Sequence, residues 1–112
     1  MKDPAATPQS EKPAVLVLAT LDTKGAEGRY LRDALMSLGV AARLVDVSCS
    51  TAPDVSADVS RDEVFAAARY DAASLAAQGD RGKSVTAAAA GAAEWVRKQH
   101  ALGHVAGVIA LG

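Results

Sequence analysis

Cysteine, aromatic residues and charge excess are all scarce in this chain. Cys49 is the single cysteine of 112 residues, so no internal disulfide can form and a reducing, cytoplasmic setting is expected. Aromatic side chains make up 4% of the sequence, while about a quarter of it is alanine. The hydrophobic half of the chain must therefore build its core from small side chains and close helix contacts, without large aromatic anchors. Twelve basic and thirteen acidic residues are interspersed to a net charge of −1. That balance excludes the basic stripe of a nucleic-acid binder and the polybasic patch of a membrane-surface protein. No apolar run approaches the roughly 18 residues of a spanning helix. The opening MKDPAATPQSEKP has three prolines and no apolar stretch of the secretory kind, so residues 1–13 are expected to be a flexible tail. The remaining 14–112 suffice for one small domain.

What is present alternates between strand and helix signals. AVLVLAT (14–20) is apolar on both faces, as in a strand buried between two helical layers. In the helix expected over 26–39, Leu31, Ala34, Leu35 and Leu38 share one face and Gly39 stops it. VAARLVDVS follows as a second strand centred on Leu44, Val45 and Val47. This is a βαβ unit, whose crossover makes the two strands parallel. After a polar loop (49–60), the capping box Ser60–Glu63 opens a short helix, EVFAAAR. Residues 71–78 read as helix or turn, and Gly79 ends them. Asp80 is placed to cap a long helix, 81–103, with Val85, Ala88, Ala89, Ala92, Trp95 and Val96 on one face. VAGVIALG is a third strand. The expected architecture is an α/β, Rossmann-like parallel sheet in the order 2-1-3, with helices on both faces. Its third strand would be an open apolar edge, so self-association or poor solubility is expected.

Candidate chemistry gathers where strands open into helices, the ligand-binding edge of such sheets. TLDTKG supplies the hydroxyls of Thr20 and Thr23, the carboxylate of Asp22, the Lys24 ammonium and Gly25, at a helix start that favours anions. Read alone, the segment serves as readily as a helix-capping turn. Asp46 ends the second strand, where dinucleotide folds hold ribose hydroxyls, but the GxGxxG fingerprint that would accompany NAD is missing. GDRGKS ends like a P-loop, yet the residue five before Gly82 is Ala77 and no strand precedes it. Asp80, Arg81, Gly82, Lys83 and Ser84 instead begin a helix, as a phosphate contact or as a capped, solvated first turn. His100 and His104 lack a third ligand and read as surface residues. Cys49 reads as a small hydrophobe, and no catalytic triad or dyad is legible.

Taken together, ATLDTKGAEGRYLRDAL, LVDVS, PDVSADVSRDEV, the DRG-led alanine helix and GVIALG resemble the ATP-binding domain family of the tomato mosaic virus resistance protein. That family is also described as an uncharacterised one widespread in bacteria and fungi. The resemblance runs from about Ala14 to Gly112. It implies an ATP ligand, with magnesium as its companion ion, held by Thr20, Asp22, Thr23, Lys24, Gly25, Asp46, Asp80, Arg81, Gly82 and Gly112. It implies no catalytic residue and no protein metal ligand. In that family the third strand runs on into a GGSGGT-type turn and a second lobe, so this chain is expected to be an amino-terminal piece. The leading expectation is a nucleotide-binding half-domain. The alternatives are an interaction module that nucleotide steadies, and an enzyme consuming ATP with Asp22 and Lys24 as its catalytic candidates.

Overall fold

The structure, a computed structural model, describes residues 12–49 and 55–111. The expected tail (apart from 12 and 13), part of the polar loop and Gly112 therefore lie outside the described residues. In chain order the elements are β1 (Ala14–Ala19), α1 (Leu21–Ser37), β2 (Ala42–Asp46), α2 (Arg61–Ala67), α3 (Ala72–Gln78), α4 (Arg81–Ala101) and β3 (Val105–Leu111). The three strands form one parallel sheet in the order β2-β1-β3. This is the expected α/β topology, with β1 central.

Apolar residues on both faces make β1 the natural centre. Val17 and Ala19 point to one side, where they pack with Leu44 of β2 and with Leu21, Leu31 and Leu35 of α1. Leu16 and Leu18 point to the other, against Val45, Val64 of α2 and Trp95 of α4. Leu16, Val17, Leu44 and Val45 are fully buried, each a gain of about 1.5–3 kcal/mol. A third cluster, Phe65, Ala72, Leu75, Ala87 and Ala88, ties α2, α3 and α4 together, and Cys49 packs against it half-buried.

Element bounds differ from the sequence expectation in informative ways. α1 begins at Leu21, five residues earlier than expected, because the Thr20 carbonyl already accepts the amides of Thr23 and Lys24 (2.9 and 2.6 Å). The segment read as a turn is thus the first turn of the helix, broken only at Lys24 (φ −121°, ψ 28°). Residues 72–78 do form a helix, closed by Gly79 in the left-handed region at φ 67°. At α2 the capping box is half-formed: Ser60 Oγ accepts the Glu63 amide, but the Glu63 carboxylate accepts from Trp95 Nε1 at 3.0 Å.

The buried face of α4 also needs correction. Ala88, Ala92, Trp95 and Val96 pack inward as expected, joined by Ser84, Ala87 and Gly91, whereas Val85 is 47% exposed and Ala89 is exposed. A β-carbon on Gly91 would lie 2.4 Å from the Val64 carbonyl oxygen, so the helix turns its glycine, not its valine, toward α2. Close approach of two backbones outweighs the burial of one aliphatic side chain.

Candidate functional site

At the carboxyl end of β2, Asp46 is 2% exposed and Ser48 fully buried. Ser48 donates to Asp46 Oδ1 through both its amide (2.9 Å) and its hydroxyl (2.5 Å). The same hydroxyl oxygen accepts the Asp22 amide at 3.1 Å. An acid at the end of one strand is thereby linked, through one buried serine, to the first turn of the helix after the neighbouring strand. One carboxylate oxygen is committed to this link.

The start of α1 is largely satisfied from within. Asp22 N–H goes to Ser48, and the Thr23 and Lys24 amides go to Thr20 O. The hydroxyls of Thr20 and Thr23 bond each other at 3.0 Å. The N-cap residue Thr20 makes no side-chain capping bond, and these backbone and hydroxyl bonds close the turn. The Lys24 ammonium takes part in no ion pair among the described residues. A β-carbon at Gly25 would sit 3.0 Å from Val55 Cγ2, so the loop packs onto this glycine. One helical turn on, a β-carbon at Gly28 would be 3.1 Å from both Ala19 Cβ and Leu44 Cδ1. Gly28 therefore lets α1 lie close against β1 and β2, the packing role of the last glycine in dinucleotide-binding turns.

Asp80, Arg81 and Gly82 lie elsewhere on the same edge. His104 O, just after α4, accepts the amide of Ala14, fixing that end of α4 at the amino edge of the sheet. Twenty-one residues of helix span about 30 Å, which carries the start of α4 back to the carboxyl side. It arrives on the opposite face from α1, since α4 packs with Leu16 and α1 with Val17. Asp80 Oδ1 accepts the Lys83 amide at 3.1 Å, a conventional N-cap. The stretch follows α3 through Gly79, not a strand, and is no P-loop. Arg81 and Lys83 are exposed. His100 is exposed, and His104 Nδ1 lies 3.1 Å from Gln99 Oε1.

A depression of about 840 Å³ lies at the other end of the sheet, lined by Ala14, Arg32, Ala42, Arg43 and Asp58 among others. Its arginines are engaged: Arg32 pairs with Asp33 and Asp58, and Arg43 stacks over the Trp95 ring at 5.8 Å. Ligands of parallel α/β sheets bind at the carboxyl edge, so this hollow is not the candidate site.

The family model that matches this chain is that of the uncharacterised protein family UPF0261, N-terminal domain, over residues 13–112. The chain belongs to UPF0261. A UPF0261 protein of Brucella suis biovar 1 is 31% identical over 106 residues, covering 95% of this chain and 25% of the relative. One from Brucella melitensis biotype 1 is 30% identical over the same coverage. The chain thus spans a quarter of the length of these UPF0261 relatives. No solved structure matches.

Membership of UPF0261 corrects the family expected from the motifs. Matching model and relatives alike carry the UPF0261 description, and none names the ATP-binding domain family of the tomato mosaic virus resistance protein. The physical reason is that the motifs are short and structurally ordinary. TLDTKG closes its own helix turn, LVD ends a buried strand, and DRG is a capped helix start.

Three residues of the site escaped the sequence reading. Ser48 carried a faint signal, a serine two residues after an aspartate at a strand end. Gly28 carried a better one, its spacing from Gly25. Val55 carried none, because its contact with Gly25 arises only when the loop folds over α1.

Proposed function

We propose that this domain binds a nucleoside phosphate at the carboxyl edge of its sheet, with ATP and magnesium the first ligand to test. The observation supporting this most is the Asp46–Ser48–Asp22 link, which joins the acid at the end of β2 to the start of α1. In parallel α/β sheets those two points flank the sugar and the phosphates respectively. Lys24, with no ion pair among the described residues, would supply the cation. Asp46 would offer the sugar its second carboxylate oxygen, and Arg81 would approach from the other face. Thr20, Thr23 and Gly25 would shape the turn, and magnesium would be carried by the phosphates. The proposed setting is cytoplasmic, supported by the single cysteine.

A second reading follows from the same turn. Because the Asp22, Thr23 and Lys24 amides are already bonded, the turn is also built to stand without an anion. The domain would then be an interaction module whose candidate site is a reinforced helix start.

Calorimetric titration with ATP and magnesium separates the two. Binding is expected, and Lys24→Ala should weaken it by about 1.5–3 kcal/mol, as for loss of a hydrogen bond to a charged group. It should also flatten the salt dependence. A folded protein that ignores ATP, or a Lys24→Ala variant with unchanged affinity and salt response, would leave the interaction module as the function.

A further inference from the structure

We infer that the free edge of β3 is a docking surface, and that its occupant is the polypeptide that follows the matched segment in UPF0261 proteins. The two edges of the sheet are treated differently. The outer edge of β2 is sealed by residues 58 and 59. Val59 forms a parallel bridge with Val45, the amides of Asp58 and Val59 donate to Leu44 O, and Asp46 N donates to Val59 O. Asp58 Oδ2 accepts the remaining Leu44 amide at 2.7 Å, and Arg32 holds that same oxygen at 3.1 Å. Among the described residues nothing comparable lies along β3.

β3 nevertheless has the composition of an interior strand. VAGVIAL has no charge and no proline, the usual guards of an exposed edge. It is apolar on both faces, as β1 is. The parallel register places Val108 beside Leu16 and Ile109 beside Val17. Leu16 and Val17 are 1% and 0% exposed, whereas Val108 and Ile109 are 46% and 36% exposed. One strand's width thus separates complete burial from exposure, on both faces at once. Covering β3 takes a strand on its edge and a layer over each face, which is more than a peptide or a single helix supplies.

The comparisons identify what can supply it. The matching family model is an N-terminal domain, and the matched segment is 25% of the Brucella suis relative, leaving most of that polypeptide to provide strand and layers. An occupant tethered in the same chain needs no further affinity device, which fits an edge with neither charge pattern nor polar rim.

Hydrogen exchange resolved to single residues, on the intact Brucella suis protein, tests this. In a parallel sheet alternate N–H groups point to opposite sides, so a free edge shows alternating protection and a paired one continuous protection. The expected result is continuous protection over the strand matching Val105–Leu111, about a hundredfold or more slower than for unbonded amides and unchanged on dilution. Alternating protection would mean that the edge is free in the whole protein, and the inference would fail. Continuous protection that disappears on dilution would assign the edge to a second copy of the chain, and would overturn it equally.

Discussion

A β-carbon at Gly91 would meet the Val64 carbonyl oxygen at 2.4 Å, whereas one at Gly82 finds only Asp80 Oδ1 at 3.4 Å. Both glycines are in α4, so the intrinsic gain from replacing glycine by alanine, up to about 1 kcal/mol, applies to each. Only at Gly91 does a backbone stand in the way. Gly91→Ala should therefore destabilise the domain by about 1–3 kcal/mol, the usual cost of overpacking, while Gly82→Ala should be neutral or stabilising. Chemical denaturation midpoints of the two variants check this, and equal midpoints would contradict the close contact of α4 with α2. Ser48 makes the same point for polar groups. Its hydroxyl at once donates to Asp46 and accepts from Asp22, so a residue without a hydroxyl there leaves the Asp22 amide without this partner.

At the scale of elements, α4 carries both its own start signal and its own surface pair. Asp80 caps it, and Arg97 Nε donates to Glu94 Oε1 at 2.9 Å one turn before its end. The hydrogen bond from Arg97 lowers the Glu94 pKa below its ordinary value. A carboxylate with a depressed folded-state pKa adds stability above its unfolded pKa of about 4.3, and loses it as pH falls through the folded value. The wild type should thus melt slightly higher than Glu94→Gln at pH 7, and by less at pH 3. Because the pair is exposed, the difference should also shrink in high salt. Thermal melts at the two pH values decide it, and a gap that widened on acidification would have the wrong sign. α1 differs: its N-cap Thr20 makes no side-chain capping bond and its last turn has no basic residue, so its place rests on Leu21, Leu31 and Leu35 in the core and on the close approach of Gly28 to β1 and β2.

For the whole molecule, the sheet is finished on one side only. Asp58 holds the sealed side, accepting from the fully buried Leu44 and from Arg32. Asp58→Ala removes both bonds and leaves a buried amide unsatisfied, a loss of about 1–3 kcal/mol. The Leu44 amide should exchange faster in that variant by more than amides in the middle of β1. Uniform acceleration throughout the sheet would indicate general destabilisation and not an opened edge. Substitution of Asp58 should leave β3 unaffected, since the two edges are separated by the width of β1.

Periodicity and composition alone determined that β1 is central, that the strands are parallel in the order β2-β1-β3, that Asp80 starts a long helix and that GDRGKS is not a P-loop. These follow from local rules: a run apolar on both faces must be covered twice, and a short acidic side chain before a helical pattern caps it. Tertiary structure decided the rest. The rotation of α4 was illegible because Val85 is a better hydrophobe than Gly91, and only contact with α2 makes the smaller residue the buried one. That the Asp22 amide is already bonded depends on Ser48, brought there by the pairing of β1 with β2. The sealing of the β2 edge was hidden for the same reason. Asp58 reads as one more loop acid until Leu44 lies beside it, whereas the open apolar edge of VAGVIAL was already legible from a strand order that puts β3 at the end of the sheet. Sequence records which surfaces must be covered, whereas only the assembled fold shows which of them are.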